Sequence, residues 1–191
     1  MKRLVMLLAF ALAACSLGGG GTKETFYVLS APEGAVPAGA TDSLSIYVGP
    51  VAMPESVDRA QMVILNSANQ VDLSEEHRWA EPLKTAIPRV VAENLMRLLD
   101  TPRVMASRLG TSLDLDYRVA LEVQRFDSSL TRGATVEVLW TITGKRVNPP
   151  RTGRSSVTEP ATEATPEGLA AAHSRALARV ANDIAGAIRP R

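Results

Sequence analysis

Residues 113–126, LDLDYRVALEVQRF, alternate apolar and polar side chains along most of their length. The apolar set takes the odd positions from Leu113 to Val123, and charged, polar or small residues take the even ones. A period of two is typical of a β-strand that buries one face and leaves the other in water. Residues 134–143, ATVEVLWTIT, repeat the pattern, so we predict two antiparallel neighbours joined by residues 127–133.

The same sheet is predicted to extend on both sides of this pair. Upstream, residues 43–51, SLSIYVGPV, alternate like a strand. Residues 60–74, AQMVILNSANQVDLS, place two apolar runs around a turn at residues 66–69, which predicts a hairpin. Downstream, residues 144–154, GKRVNPPRTGR, have the composition of a basic, proline-bearing loop. This loop leads to a short predicted strand at residues 155–159, SSVTE.

Two segments carry helical periodicity instead. From Leu83 to Leu98, apolar residues recur at spacings of three and four. Pro82 suits the first turn of this helix, whereas Pro88 would delete a hydrogen bond inside it. Either the helix kinks at Pro88 or its regular part starts there. The last helix is predicted to begin with Thr165 as N-cap and to continue to the end of the chain.

These elements together predict the fold class. Two amphipathic helices and about five half-buried strands fit an α/β (α+β) two-layer sandwich. In this architecture, both long helices cover one face of a mainly antiparallel sheet.

The N-terminal segment MKRLVMLLAFALAAC, residues 1–15, starts with Lys2 and Arg3, continues with an apolar run and ends at the single cysteine. The run is too short to cross a bilayer as a helix, which needs about 20 residues, and is typical of a secretory signal. LAAC fits the lipobox pattern, which resembles bacterial lipoproteins. We therefore predict a signal peptide at residues 1–14 and N-acyl and S-diacylglycerol groups on Cys15, with no other cofactor.

The residues after Cys15 predict how the protein is attached. Four consecutive glycines make residues 15–25 a lipidated cysteine with a flexible tether, followed by a single periplasmic domain at residues 26–191. Ser16, not Asp, follows the cysteine, and by resemblance to lipoproteins of the Lol sorting route this favours the outer membrane. Loss of residues 1–14 reduces the 21 basic residues to 19, against 20 acidic ones, so the charge does not favour nucleic acid as a partner.

One short segment, SEEHRWAEPL, has the residue types of an acid–base site. It contains His77, one of only two histidines, together with the carboxylates Glu75, Glu76 and Glu81. A carboxylate beside an imidazole raises the imidazole pKa toward a value useful in general acid–base catalysis. A structural interpretation competes with this one. In it, Glu76 and Glu81 lie at the entrance of the following helix, and Trp79 anchors that entrance to the sheet.

The remaining candidates are a metal site, a core histidine and a basic surface. A metal site is not expected, because two distant histidines and a lipidated cysteine do not supply three or four ligands. His173 lies on the apolar stripe of the last helix, where a hydrogen-bonded core residue is expected. Four cations near the two prolines form either an ordinary surface turn or a patch for anionic lipid headgroups. They are Lys145, Arg146, Arg151 and Arg154.

Three segments carry a resemblance to a known family. YVLS soon after the lipobox, then VGPVAMPESVDRAQMVI, then HRWAEPLKTAIPRVVAENLMRLL, resemble the PqiC (YmbA-like) family, also described as ABC-type transport auxiliary lipoproteins. The resemblance extends from about Tyr27 to the final helix. Its most specific part is HRWAEPL, so the family motif comprises His77, Arg78, Trp79, Glu81, Pro82 and Leu83.

The resemblance implies a fold similar to the N-terminal domain of TolB and no enzymatic activity. It also implies an outer-membrane lipoprotein that faces the periplasm and works with an MCE-domain protein of an inner-membrane lipid transport system. We expect the domain to dock that conduit, as a homo-oligomer surrounding it. Two alternatives are an auxiliary lipoprotein of another envelope export machine and a periplasmic hydrolase that uses His77.

Overall fold

The computed structural model describes residues 23–34, 44–106 and 115–189. The predicted signal peptide, the lipidation site Cys15 and most of the predicted tether lie outside these ranges. Within them, no helix is long and apolar enough to cross a membrane.

Eight strands and two helices follow one another along the described residues. The strands are β1 (Thr25–Tyr27), β2 (Ile46–Ala52), β3 (Gln61–Ser67), β4 (Gln70–Trp79), β5 (Val104–Met105), β6 (Tyr117–Ser129), β7 (Gly133–Gly144) and β8 (Val147–Glu159). The helices are α1 (Leu83–Leu98) and α2 (Pro166–Ile188).

All eight strands belong to one sheet with β6 at its centre. One edge of β6 pairs antiparallel with β7, and β7 pairs antiparallel with β8. The other edge pairs in parallel with β2 and, near the end of β6, with β3. From there the sheet continues through β5 on one side and through β4 and β1 on the other.

The prediction of about five mainly antiparallel strands therefore underestimated the number of strands, and it missed the parallel pairs. β1 and β5 contain three and two residues, which is too short to show a period of two. Each of them pairs in parallel with a strand distant in sequence. The sequence near a strand does not predict such a pairing.

The predicted alternation correctly identified the core face. The paired residues Val119 and Ile142 are fully buried, and so is Val138 beside Val123. Both helices pack on this side of the sheet, so their apolar stripes complete the core. The opposite side, which we call the open face, carries the even-numbered residues of β6 up to Glu122 and the odd-numbered residues of β7, including Leu139.

Helix α1 decides the question left open by Pro88. The backbone N–H groups of Thr85 and Ala86 donate to the carbonyl of Pro82, so the first turn is formed before Pro88 is reached. The interpretation that the regular helix starts near Pro88 is therefore wrong. Pro82 is the N-cap residue rather than part of the first turn, and Leu83 begins the helix.

Helix α2 begins as predicted. The hydroxyl of Thr165 accepts a hydrogen bond from the backbone N–H of Gly168 over 3.1 Å, and Pro166 takes the first helical position. This cap satisfies one of the donors that a helix start leaves without an intrahelical partner.

The loop predicted at residues 144–154 is wrong, because most of it is strand. Only residues 145 and 146 form the turn, and β8 contains both Pro149 and Pro150. Prolines lack the N–H that a central strand needs, but β8 pairs only with β7 and is an edge strand. The register also shifts beside the two prolines, so the ladder does not require their missing donors.

Gly153 in β8 offers a test of how tightly this edge is packed. It pairs with Trp140, and a Cβ atom at position 153 would overlap the indole ring. We expect Gly153→Ala to lower the free energy of unfolding by about 1–3 kcal/mol in urea titrations, because the core must repack. The control is Gly186→Ala in α2, where an added Cβ meets nothing within 4 Å. That change should raise stability by up to about 1 kcal/mol, and equal effects would contradict the close packing.

Candidate functional site

The segment SEEHRWAEPL contains the end of strand β4 and the connection to helix α1. Strand β4 ends at Trp79, and Leu83 begins the helix three residues after Ala80. Trp79 is only 5% exposed and packs edge-on against Phe126, with ring centroids 6.1 Å apart. Leu83 is fully buried in the same core. The aromatic and the leucine of the motif therefore hold the end of β4 and the start of α1 on the sheet.

His77 is bonded to the N-terminal strand and not to a carboxylate. Its Nδ1 atom lies 2.9 Å from the hydroxyl of Tyr27, and Thr25 pairs with it in the sheet. Its backbone N–H donates to the hydroxyl of Ser74 over 3.1 Å. The half-buried ring thus has a structural partner on β1.

The three carboxylates of the hypothetical acid–base site do not converge on His77. Glu75 and Glu76 are exposed in β4, and the carboxylate of Glu81 accepts a hydrogen bond from Arg89 over 2.5 Å. The prediction that Glu76 lies at the helix entrance is wrong, because an irregular stretch of β4 carries it in the strand. In the described part of the chain, no hydrogen bond joins His77 to any of these three residues.

Arg89 is a site residue that the sequence analysis missed. Besides Glu81, it donates to the carboxylate of Glu93 over 3.1 Å and to the carbonyl of Leu29 over 2.9 Å. Burial alone would lower the pKa of Arg89, but the hydrogen bonds to both glutamates raise it overall. The spacing of Arg89 and Glu93 at i and i+4 was a readable signal. The contact with Leu29, sixty residues away, was not.

The motif and Arg89 together fasten the N-terminal arm, residues 23–34, to the domain. Arg78 forms an ion pair with Glu24 at 2.7 Å. The N–H of Ala80 donates to the carbonyl of Tyr27 over 2.8 Å. With the contacts of His77 and Arg89, these bonds cover the arm from Glu24 to Leu29. HRWAEPL therefore forms the place where the chain arriving from the predicted tether is attached to the core.

A buried serine–histidine pair lies beside Trp79. Nε2 of His173 is 2.8 Å from the hydroxyl of Ser128, and its ring stacks on Phe126 with centroids 3.9 Å apart. Burial lowers the pKa of His173 to about 3, so the ring is neutral at physiological pH. Both side chains are buried in the core. His173 is thus the hydrogen-bonded core residue that its position predicted.

The four cations near the prolines do not share one surface. Arg146 bonds to Asp116 over 2.9 Å at the β7–β8 turn, where Lys145 is also exposed. Arg154 bonds to Glu137 over 2.8 Å, whereas Arg151 reaches the carbonyl of Ala187 at the end of α2. The pKa of Asp116 is lowered, chiefly by the hydrogen bond from the backbone of Ser45. Contact of these cations with anionic lipid stays a prediction.

The described residues supply no metal centre, since no group of three or more potential ligands comes together among them.

What the geometry defines is an α+β domain with both helices on one side of its sheet and an N-terminal arm held by specific contacts. The chain belongs to the family described as the ABC-type transport auxiliary lipoprotein component, whose model matches residues 27–185. At that level, the family resemblance of the sequence is confirmed.

Solved structures share the fold at low sequence identity. One, titled an uncharacterized protein, has a TM-score of 0.71 and 16% identity, and the match covers 87% of this chain and 99% of that chain. Protein XCC0632 from Xanthomonas campestris, assigned to DUF330, has a TM-score of 0.62 and 20% identity, covering 85% and 93%. No curated protein sequence matches. The expected likeness to TolB stays a prediction.

Proposed function

We propose that this chain is a lipid-anchored, non-enzymatic component of an ABC-type system that moves lipids across the envelope. In this role it is held at the outer membrane. There it binds an MCE-domain protein whose own anchor is in the inner membrane. The observation that carries the proposal is the family match over residues 27–185, which makes the domain an auxiliary transport lipoprotein. The MCE partner, the lipid cargo and the outer-membrane location are the finer content of the proposal.

The anchor and the arm form the mechanical part of this function. Acylation of Cys15 would keep the protein at the membrane, since each buried methylene contributes about 0.8 kcal/mol. Ser16 supports the outer membrane and a domain that faces the periplasm. The contacts of HRWAEPL with the arm would transmit a mechanical force on the tether to the core of the domain.

The open face is the best-suited docking surface for a polar partner. Arg118 and Glu122 of β6 are exposed there beside Leu139 of β7, which is 38% exposed. The long edge strand β8 borders this face and offers backbone groups to an added strand, either from the partner or from a second copy in a homo-oligomer. Pro149 and Pro150 limit such an addition to the later part of β8.

Photocrosslinking in cells tests the docking. A photoreactive amino acid replaces Leu139 on the open face, and the matched control replaces Asn182, an exposed residue of α2 on the helix side. We expect Leu139 to capture an MCE-domain protein and Asn182 not to capture it, because the two positions lie on opposite sides of the sheet.

The identity of the captured protein decides between the alternatives. Capture of no MCE-domain protein from either position, in cells where the labelled chain still functions, would refute the docking. Capture of a component of a secretion or polysaccharide export machine would favour that alternative instead. A Cys15→Ser chain, which lacks the acylation site, separates loss of the anchor from loss of the docking surface.

A further inference from the structure

The N-terminal arm enters the domain from one particular end of the sheet. β1 runs parallel to β4, with Thr25 opposite His77. The residue before Thr25 is therefore on the side of the β3–β4 turn, residues 68–69. β6 runs parallel to β3, so the β6–β7 turn at residues 130–132 closes the sheet at this same end. We call this end, with its two turns, the tether end.

Three large exposed apolar side chains lie at the tether end. Val71 and Leu73 of β4 are 50% and 42% exposed, and Leu130 is 41% exposed. Across the hairpin, Val71 pairs with Leu65 and Leu73 pairs with Val63, so these four residues form one apolar stripe on a single face. Six large apolar side chains are exposed among the residues that the structure describes: three are here, Phe26 and Val28 are on the arm, and Leu139 is on the open face. A contiguous exposed apolar stripe like that of the hairpin is typical of a contact surface.

The charges of the tether end suit a lipid surface better than a charged protein. Between Gln61 and Ser74, the only ionisable side chain is Asp72. The amide of Asn66 donates a hydrogen bond to its carboxylate over 2.6 Å, so this group has a partner within the hairpin. Arg132, exposed beside Leu130, places a cation where a leaflet carries phosphate groups.

The length of the chain before the arm fits contact with the same membrane. Eight residue steps separate Cys15 from Lys23, and they span at most about 29 Å when extended. Seven residues of β4, from Gln70 to Glu76, lie between the β3–β4 turn and the partner of Thr25, a distance of at most about 23 Å because the strand is irregular in this stretch. An acyl group on Cys15 can therefore reach the plane of the tether end.

We propose that the tether end is a membrane-contact surface. Val71, Leu73 and Leu130 enter the headgroup region of the phospholipid leaflet that holds the acylated Cys15. This inference rests on the lipidation included in the proposed function. The turn at residues 145–146 lies at the opposite end of the sheet, so it points away from this membrane and toward the periplasm.

The test uses the acylated chain in vesicles of phosphatidylethanolamine and phosphatidylglycerol. An environment-sensitive fluorophore is attached at Leu73→Cys or Leu130→Cys, and acylated Cys15 has no free thiol to compete. The matched control is Leu139→Cys, a similarly exposed leucine in the middle of β7. Brominated lipids should quench the first two labels roughly two-fold or more and leave the control unchanged, because interfacial side chains lie at the depth of the acyl boundary.

Each other outcome overturns the inference in a distinguishable way. Unquenched labels at 73 and 130 in protein that floats with the vesicles remove the membrane contact and keep the anchor. Equal quenching at all three positions shows a domain lying flat on the bilayer. Shielding at 73 that grows with protein density and not with brominated lipid assigns the stripe to a second copy. Failure to float, with a free Cys15 thiol by mass spectrometry, removes the anchor and the contact together, whereas the capture from Leu139 tests the docking separately.

Discussion

Trp79→Ala is expected to lower the free energy of unfolding by about 3–5 kcal/mol, the range for deleting a buried aromatic side chain. Trp79 is 5% exposed and has two aromatic neighbours, with ring centroids 6.1 Å away in Phe126 and 5.9 Å away in His173. Removing the indole leaves a cavity where β4, β6 and α2 meet. The measurement is urea unfolding of the Cys15→Ser chain, followed by circular dichroism.

The control for this cavity is Leu139→Ala on the open face. Leu139 is 38% exposed, so its truncation should cost under about 1 kcal/mol. Similar losses from both variants would contradict the anchoring role of Trp79. A small loss from Trp79→Ala alone would have the same meaning, because it would require the surrounding core to close over the gap.

The sequence predicted the parts of the fold in which one face of an element is buried. Val119, Leu121 and Val123 alternate with polar or small residues because α1 and α2 cover only their side of the sheet. The stripe of α1 was readable for the same reason. In β8, Pro149 and Pro150 suggested a loop, since their tolerance depends on the strand being an edge, which is a property of the whole sheet.

The site was harder to predict because its contacts join distant parts of the chain. His77 and Tyr27 are fifty residues apart, and Arg89 and Leu29 are sixty apart. Residue types alone suggested an acid–base group, but His77 bonds to Tyr27 of the N-terminal arm, and Glu81 bonds to Arg89, which holds Leu29 of the arm. The family motif was therefore recognisable in the sequence, while its structural role became visible only with the arm in place.

The burial of His173 in the core predicts that the stability of the protein depends on pH. We expect the protein to lose about 2 kcal/mol of stability between pH 7 and pH 5 through His173 alone. Burial lowers the pKa of this imidazole from 6.5 to about 3 in the folded chain. In that interval the unfolded state binds a proton that the folded state does not. The stabilisation is complete above about pH 6.5 and is lost progressively as the pH falls toward 3.

His173→Gln isolates this contribution, because glutamine can keep a hydrogen bond to Ser128 without titrating. Urea midpoints of both proteins from pH 7 to pH 5 give the two slopes. The wild-type slope should be steeper by up to about 1.4 kcal/mol per pH unit toward the acid end. Staying above pH 5 limits the contribution of Asp116 and Glu137, whose pKa values are lowered by their hydrogen-bond partners. Parallel slopes, or His173 ring resonances that titrate near pH 6 in the folded protein, would show that the imidazole takes up its proton inside the core.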